Sequence, residues 1–349
     1  MPRLRLRLRR FVAAVAASAA AAACGLVGGI EDITVVDEQS SDGSVAIPGD
    51  EGPLRPDSPF LPDTATDSAV DAPVKTRCDA LEPFGAPVVV ASLNTTSDDS
   101  TPRLSPDELT VYFASTRPGH LGGGSIYSAK RAARSDPFGA PALVPVVNVT
   151  NGTIYHPAVT GDGLRIFLQV TGGAPTDLYL GTRTTTAVEF STPAPLANVN
   201  SGSFEFIPFI SADGVHLLFS SNRSGAFLLY ESAASGGVFP AATLVPGVGS
   251  GNGAAVDTAP VLSGDLLSLY FASTRVDPGS SSYDLFVARR TTPSGAFGTP
   301  TRVAELNDAN AAVSDVPSWL SADECRLYLT SDRLAPGGGF DVYLATRTP

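Results

Sequence analysis

Soft nucleophiles and metal ligands are scarce in this chain, with three cysteines and three histidines among 349 residues. His120, His156 and His216 fall at unrelated places, and no Cys or His stands at the spacing a zinc site requires. A Gly-x-Ser-x-Gly elbow for a serine hydrolase is missing. The glycine-rich run GVGSGNG at 247–253 has no Gly-Lys-Ser/Thr after it, so it is a loop rather than a phosphate cradle. These absences point to no catalytic constellation, no metal centre and no organic cofactor. Bases are also few, 23 against 35 acids, and the net charge of −12 argues against nucleic acid as a partner. Long apolar runs are lacking too. The most apolar stretch, FVAAVAASAAAAA at 11–23, is shorter than the ~20 residues of a spanning helix.

That stretch reads instead as an export signal. It follows MPRLRLRLRR, which carries five arginines, and it runs in small residues up to Cys24. A basic head, a short apolar core and small residues before the cut describe a secretory signal over 1–23. Three alanines before Cys24 resemble a bacterial lipobox, although Ala21 stands where Leu is usual. The resemblance implies that Cys24 is lipidated and becomes the mature N-terminus; an ordinary cleaved signal with an incidental cysteine is the alternative. Loss of the head would leave 18 bases against 35 acids, a net charge of −17. Membrane attachment would then come from the acyl chains, at ~0.8 kcal/mol per buried CH₂. Gly25 occupies the position where Asp commonly marks inner-membrane retention, so the same resemblance implies the outer membrane, facing the periplasm or the cell surface. Residues 25–77 hold eleven acids, three bases and six prolines without periodicity. Such a segment cannot bury enough apolar surface to offset its ordering entropy, and 24–77 is expected to be a disordered acidic tether.

Beyond it the chain repeats itself. LSPDELTVYFASTR at 104–117 and LSGDLLSLYFASTR at 262–275 are two of five copies, which start at Ser105, Thr160, Ser211, Ser263 and Ser321. Each has Asp two residues later, then a strand-like run such as LTVYFAS or CRLYLTS, then a second run such as DLYLGT or DVYLAT. Phe138, Phe190, Phe239 and Phe297 each open a further segment that ends ten residues on, at Asn148, Asn200, Gly249 and Asn307. Four short strands in ~50 residues make one blade of a β-propeller. The last copy stops at Pro349, after its third strand, yet FGAPVVVASLN at 84–94 is the missing fourth. The expected fold is therefore all-β, a five-bladed propeller over 78–349 with four-stranded antiparallel blades. Blade 5 would be a composite of 84–94 and 314–349; six or seven blades is the alternative. Cys78 and Cys325 would then lie on one face of that blade. In an oxidising compartment a disulfide follows, with two unpaired thiols as the other reading.

LSPDELTVYFASTR and LSADECRLYLTSDRLAPGGGFDVYLATR resemble the WD40-like propeller repeats of the periplasmic TolB protein and many exported lipoproteins. Their usual core is Pro-x-x-Ser-Pro-Asp-Gly, a Tyr-Phe strand, Ser-x-Arg and an Asp-Ile-Tyr strand. The likeness covers 84–349, with departures: Asp-Gly survives only at 162–163 and 213–214, and the second copy lacks the Arg. It implies a binding platform and supplies no catalytic site.

Asp99, Glu205, Asp257 and Asp315 each stand six residues before a repeat's Ser, where carboxylates could crowd the channel mouth. There they would bind Ca²⁺ or act as glycosidase acids. Arg117, Arg223, Arg275 and Arg333 follow them at a constant separation of 18, which an antiparallel hairpin closes. Blade 2 has Ile154 and Gly172 instead, and loss of both partners together is what a structural ion pair predicts. Tyr112, Phe167, Phe219, Tyr270, Tyr328 and Trp319 are expected in the core. What is left for function is the variable loops at 118–125, 249–257, 276–283 and 334–340. The expectation is a monomeric, lipid-anchored, non-enzymatic envelope protein that presents this face to a protein or polysaccharide. A propeller enzyme acting on glycans or lactones is the rival.

Overall fold

A computed structural model describes residues 77–348 apart from 120–122, 149–151, 173–174, 250–254 and 335–338. The expected signal at 1–23, the lipidated Cys24 and the tether up to residue 76 lie outside the described residues. Five four-stranded antiparallel sheets form the blades of a propeller. Blade 1 runs Asp99–Leu104, Thr110–Ser115, Ser125–Lys130 and Ala142–Leu143 from the inside outwards. Blades 2, 3 and 4 repeat this order from inner strands Thr153–Val159, Glu205–Ile210 and Asp257–Leu262. Blade 5 takes Asp315–Leu320, Arg326–Ser331 and Asp341–Thr346 from the C-terminus, and Val88–Val89 pairs against the last of these. Each inner strand touches its neighbour's, and blade 5 touches blade 1, so the ring is closed.

The Ser/Thr-x-Asp of each copy makes the turn between the first two strands. In blade 1 the Ser105 hydroxyl donates to Asp107, and Asp107 Oδ1 accepts the Leu109 N–H. The same pair of bonds closes the turns at Asp162, Asp213, Asp265 and Asp323. The residue after that Asp adopts a left-handed φ of 58–72° in every blade. Gly163 and Gly214 do so freely, whereas Glu108, Leu266 and Glu324 do so at a cost of about 1–2 kcal/mol each. Both glutamates are buried against arginine. Glu108 pairs with Arg326 at 2.7 Å, joining blade 1 to blade 5, and Glu324 lies 3.6 Å from Arg347.

Every inner strand is kinked by a register shift. In blades 1–4 the kink residue, Thr101, His156, Ile207 or Ala259, has φ near +50° and precedes a proline. Proline removes a ladder donor and is tolerated in a sheet only at such bulges. In blade 5 Pro317 itself occupies the kink position; its ring forbids a positive φ, and the shift moves to Pro317/Trp319. The aromatics expected in the core are there: Phe167 and Phe219 are fully enclosed, and Tyr112, Tyr270 and Tyr328 are buried. Trp319 is half-buried, edge-on to Tyr328.

The outer strands differ from expectation. Regular pairing covers two residues in each, as at Ala142–Leu143 and Thr301–Arg302. The rest of each Phe-to-Asn segment is held by single backbone bonds, such as Val144 N–H to Ile126 C=O, and in four blades by an asparagine side chain. Asn94, Asn148, Asn200 and Asn307 each bridge the N–H and C=O of one third-strand residue, Val342, Ile126, Leu178 or Leu285. Asn94 does this across the ring closure. Cys78 and Cys325 form the expected disulfide with Cα atoms 5.1 Å apart, tying residues 247 positions apart.

Chain entropy alone assigns a loop of that length on the order of 5 kcal/mol. Reduction, or Cys325→Ser with Cys78→Ser, is expected to lower the thermal midpoint by several degrees in calorimetry; an unchanged midpoint would show the closure to be held by Asn94 and the strand pairing alone. A second expectation concerns acid. Burial raises the carboxyls of Asp162, Asp213, Asp265 and Asp323, but their hydroxyl and N–H bonds outweigh it and leave all four below the ordinary value. At Asp107 the Ser105 hydroxyl is the leading cause of the same shift. A folded value below the unfolded one gives stability that is present above pH ~4 and lost as pH falls through the folded values. The unfolding midpoint should therefore fall steeply below pH ~4, and Asp107→Asn with Asp162→Asn should flatten that fall.

Candidate functional site

The four repeat carboxylates stand at the first residue of inner strands, where the register places the last serine of the second strand directly opposite. Arg117, Arg223, Arg275 and Arg333 lie two residues past that serine. Their Nη2 atoms are 2.6, 2.9, 2.7 and 2.5 Å from Asp99, Glu205, Asp257 and Asp315. The acid side chains are 0–2% exposed. Each Nε donates to the facing Ser115, Ser221, Ser273 or Ser331 hydroxyl. Each Nη2 also donates to a carbonyl of the crossover entering the blade, Leu93, Val199, Val248 or Leu306. The guanidinium rests on rings of its own blade, 4.9 Å from Phe113 and 5.1 Å from Tyr127 in blade 1. These carboxylates are buried and bound within their own blades.

Blade 2 confirms the unit by replacing all of it. At the register positions of Asp, Ser and Arg stand Ile154, Val170 and Gly172. Ile154 and Val170 pack together in one apolar cluster. An unpaired buried charge costs more than an apolar substitute of similar size, so the members leave as a set.

A second arginine series was invisible to the spacing just described. Arg131, Arg183, Arg290 and Arg347 follow the third strands and donate from Nε to the turn carbonyls of Glu108, Gly163, Leu266 and Glu324. Each lies 4.1–4.4 Å from the ring that opens a Phe-to-Asn segment: Phe138, Phe190, Phe297 and Phe84. Three of the four stand seven residues before their Phe, and that interval was the available signal.

The channel itself is obstructed. Arg103, on the inner strand of blade 1, donates to the carbonyls of Pro157, Ser318 and Pro208 in blades 2, 5 and 3. One side chain reaches the inner strands of three other blades only from the ring axis. Arg103 is 3% exposed and has no carboxylate partner among the described residues; burial pulls it down to about 9. His156 lies alongside, lowered to about 3 by burial and then by the Arg103 charge.

Two further carboxylates lie near each other at the joint of blades 5 and 1, where Asp98 accepts the Phe340 N–H. Asp98 precedes inner strand 1, and Asp341 opens the third strand of blade 5. Burial raises both, Asp98 further through Asp99, and Asp341 further through Asp99 and Asp98. Among the described residues no three His, Cys, Asp or Glu side chains converge closely enough to hold a metal ion. Blade 3 adds an aromatic group on the same face. Phe204 and Phe206 flank Glu205, with centroids 5.8 Å apart and planes at 19°. Phe227 lies 5.3 Å from Phe206 at 32°. All three are half-buried and belong to none of the four core clusters. The variable loops reach this face as well, but 120–122, 250–254 and 335–338 within them lie outside the described residues.

A five-bladed propeller with a closed axis and a half-exposed aromatic face defines the class. No family model and no curated protein matches the sequence. Among solved structures, the chain is similar in fold to a GH43_1 enzyme from Xanthomonas citri, with a TM-score of 0.52 at 12% identity, over 75% of this chain and 90% of that one. It also aligns with a putative TolB from Agrobacterium tumefaciens, with a TM-score of 0.43 at 16% identity over 76% and 92% of the two chains. With TolB from Acinetobacter baumannii the TM-score is 0.42 at 17% identity over 74% of this chain, which spans 56% of that one. These likenesses concern the fold alone.

Asp257→Asn should cost about 3–5 kcal/mol in urea unfolding, because it strands a buried guanidinium. Replacing the set with the blade-2 residues, Asp257→Ile with Ser273→Val and Arg275→Gly, should recover part of that loss. A triple variant no better than the single one would show that the three do not act as a unit.

Proposed function

We propose that the protein is an exported, lipid-anchored binding platform without catalytic activity, whose propeller presents the loop-bearing face to a partner in the bacterial envelope. One observation carries this reading: the carboxylates that the repeat places nearest the channel are neutralised inside their own blades, and Arg103 occupies the axis behind them. A reaction centre needs free, convergent groups, and these are committed to structure. The lipobox-like stretch ending at Cys24 and the disulfide support export. A ring of rigid blades with variable loops suits recognition, since the scaffold holds the loops at little entropic cost on binding.

A glycan-acting enzyme is the second reading. The fold it shares with the Xanthomonas citri GH43_1 enzyme leaves it open, and Asp98 and Asp341 are what favour it. Burial raises both carboxyls, and the neighbouring Asp99 raises each further, an environment of the kind that tunes acid–base groups.

The full-length chain is expected to release no sugar or phenol from aryl glycosides, arabinan, xylan or lactones above a buffer blank. Radiolabelled palmitate should enter the wild type and not Cys24→Ser, and that variant should leave the membrane fraction. Turnover that Asp98→Asn abolishes at an unchanged thermal midpoint would replace the platform with the enzyme.

A further inference from the structure

The carbonyls that hold Arg103 come from one repeat position. Pro157, Pro208 and Ser318 each lie three residues past the repeat's acid position, held by Ile154, Glu205 and Asp315. Pro102 and Pro260 complete the series in blades 1 and 4. All five fall inside the register shift of their inner strand, and so stand outside its regular pairing with the second strand. A ring of equivalent blades carries equivalent positions round its axis. Backbone carbonyls gathered in that way present partial negative charge to one point, and such rings hold cations in place of water.

The occupant is supplied by the chain itself. At the next position stand Arg103, Ala158, Phe209, Val261 and Trp319, so one blade of the five carries a cation. Its Nε, Nη1 and Nη2 donate to three different blades, at 3.2 Å to the Pro157 carbonyl and 3.1 Å to that of Pro208, with Ser318 taking the third bond. The guanidinium carbon also lies 5.7 Å from the centre of the Phe209 ring. No carboxylate pairs with this buried side chain among the described residues, so carbonyl dipoles and a ring face balance its charge. The geometry sets the class of cation as well. A bare calcium ion draws its oxygens in to ~2.3–2.6 Å. Carbonyls standing one hydrogen bond beyond each nitrogen of a planar fork leave a ring too wide for that, but fitted to three N–H donors.

We propose that these carbonyls form a cation site on the ring axis with Arg103 as its built-in occupant, and that the chain without this side chain takes a free guanidinium ion there. Loss of the cation leaves buried carbonyls of three blades without a donor, which loosens blades 2, 3 and 5 from blade 1 at the axis.

The test is thermal unfolding of the full-length chain, in detergent, with Arg103→Ala, Arg103→Lys and Arg103→Met beside the wild type. Arg103→Ala should lower the midpoint by about 5 °C or more. Millimolar guanidinium chloride should restore part of that loss, sodium chloride at equal ionic strength should not, and neither should shift the wild type. Arg103→Met keeps similar volume without charge, so Arg103→Lys should unfold at the higher temperature of the two. The inference fails if Arg103→Met matches or exceeds Arg103→Lys, because packing alone then explains the side chain. It also fails if Arg103→Ala unfolds at the wild-type midpoint, or gains no more from guanidinium than from sodium chloride. Rescue by calcium chloride without rescue by guanidinium would overturn the class of cation. Should Arg103→Ala not fold, the order of Arg103→Lys and Arg103→Met decides alone.

Discussion

In four of the five blades the inner hairpin depends on one contact, the guanidinium held between a buried carboxylate, a serine hydroxyl and a backbone carbonyl. The carboxylate belongs to the innermost strand, the serine to the second, and the carbonyl to the crossover arriving from the blade before. A single side chain therefore sets the register of one hairpin and pins the seam between two blades. Arginine suits the place because its planar fork carries several donors in fixed directions and its face stacks on aromatic rings. Lysine offers neither.

Function is shaped by what this contact consumes. In blades 1, 3, 4 and 5 the inner acids are spent on internal arginines, and Arg103 fills the axis with a positive charge held by three carbonyls. Among the described residues, the loops, Asp98 and Asp341, and the phenylalanines of blade 3 stay at least partly exposed. The division is physical. Residues that satisfy one another are invisible to a ligand, and those the core leaves half-exposed are available to it.

The ring is closed by several weak devices and one strong one. Val88–Val89 contributes only two paired residues to blade 5, and Asn94 clamps Val342 beside them. Phe84 stacks on Arg347, and Glu108 reaches Arg326 across the blade 5–blade 1 seam. The disulfide converts this set into a permanent closure, because it removes the open-ring states in which each device could be lost singly.

Repetition made much of this legible without coordinates. Five Ser/Thr-x-Asp turns, the interval of 18 between acid and arginine, and the displaced Phe84–Asn94 segment pointed to five blades, their closure and the Cys78–Cys325 bond, because antiparallel pairing turns fixed separations into contacts; the structure removed the alternatives of more blades and of unpaired thiols. The second arginine series was equally regular but went unread, since its rings lie on a neighbouring segment rather than on the same hairpin. Other features had no linear signature. Arg103 looks like any strand arginine until the strands of blades 2, 3 and 5 surround it. Phe204, Phe206 and Phe227 carry no signal in the repeat, and only packing shows them half-buried outside the core clusters. The sequence by itself determined the blades and their closure, which follow from local periodicity. The tertiary structure alone decided which groups are spent inside the ring and which stay partly exposed, because burial depends on every blade at once.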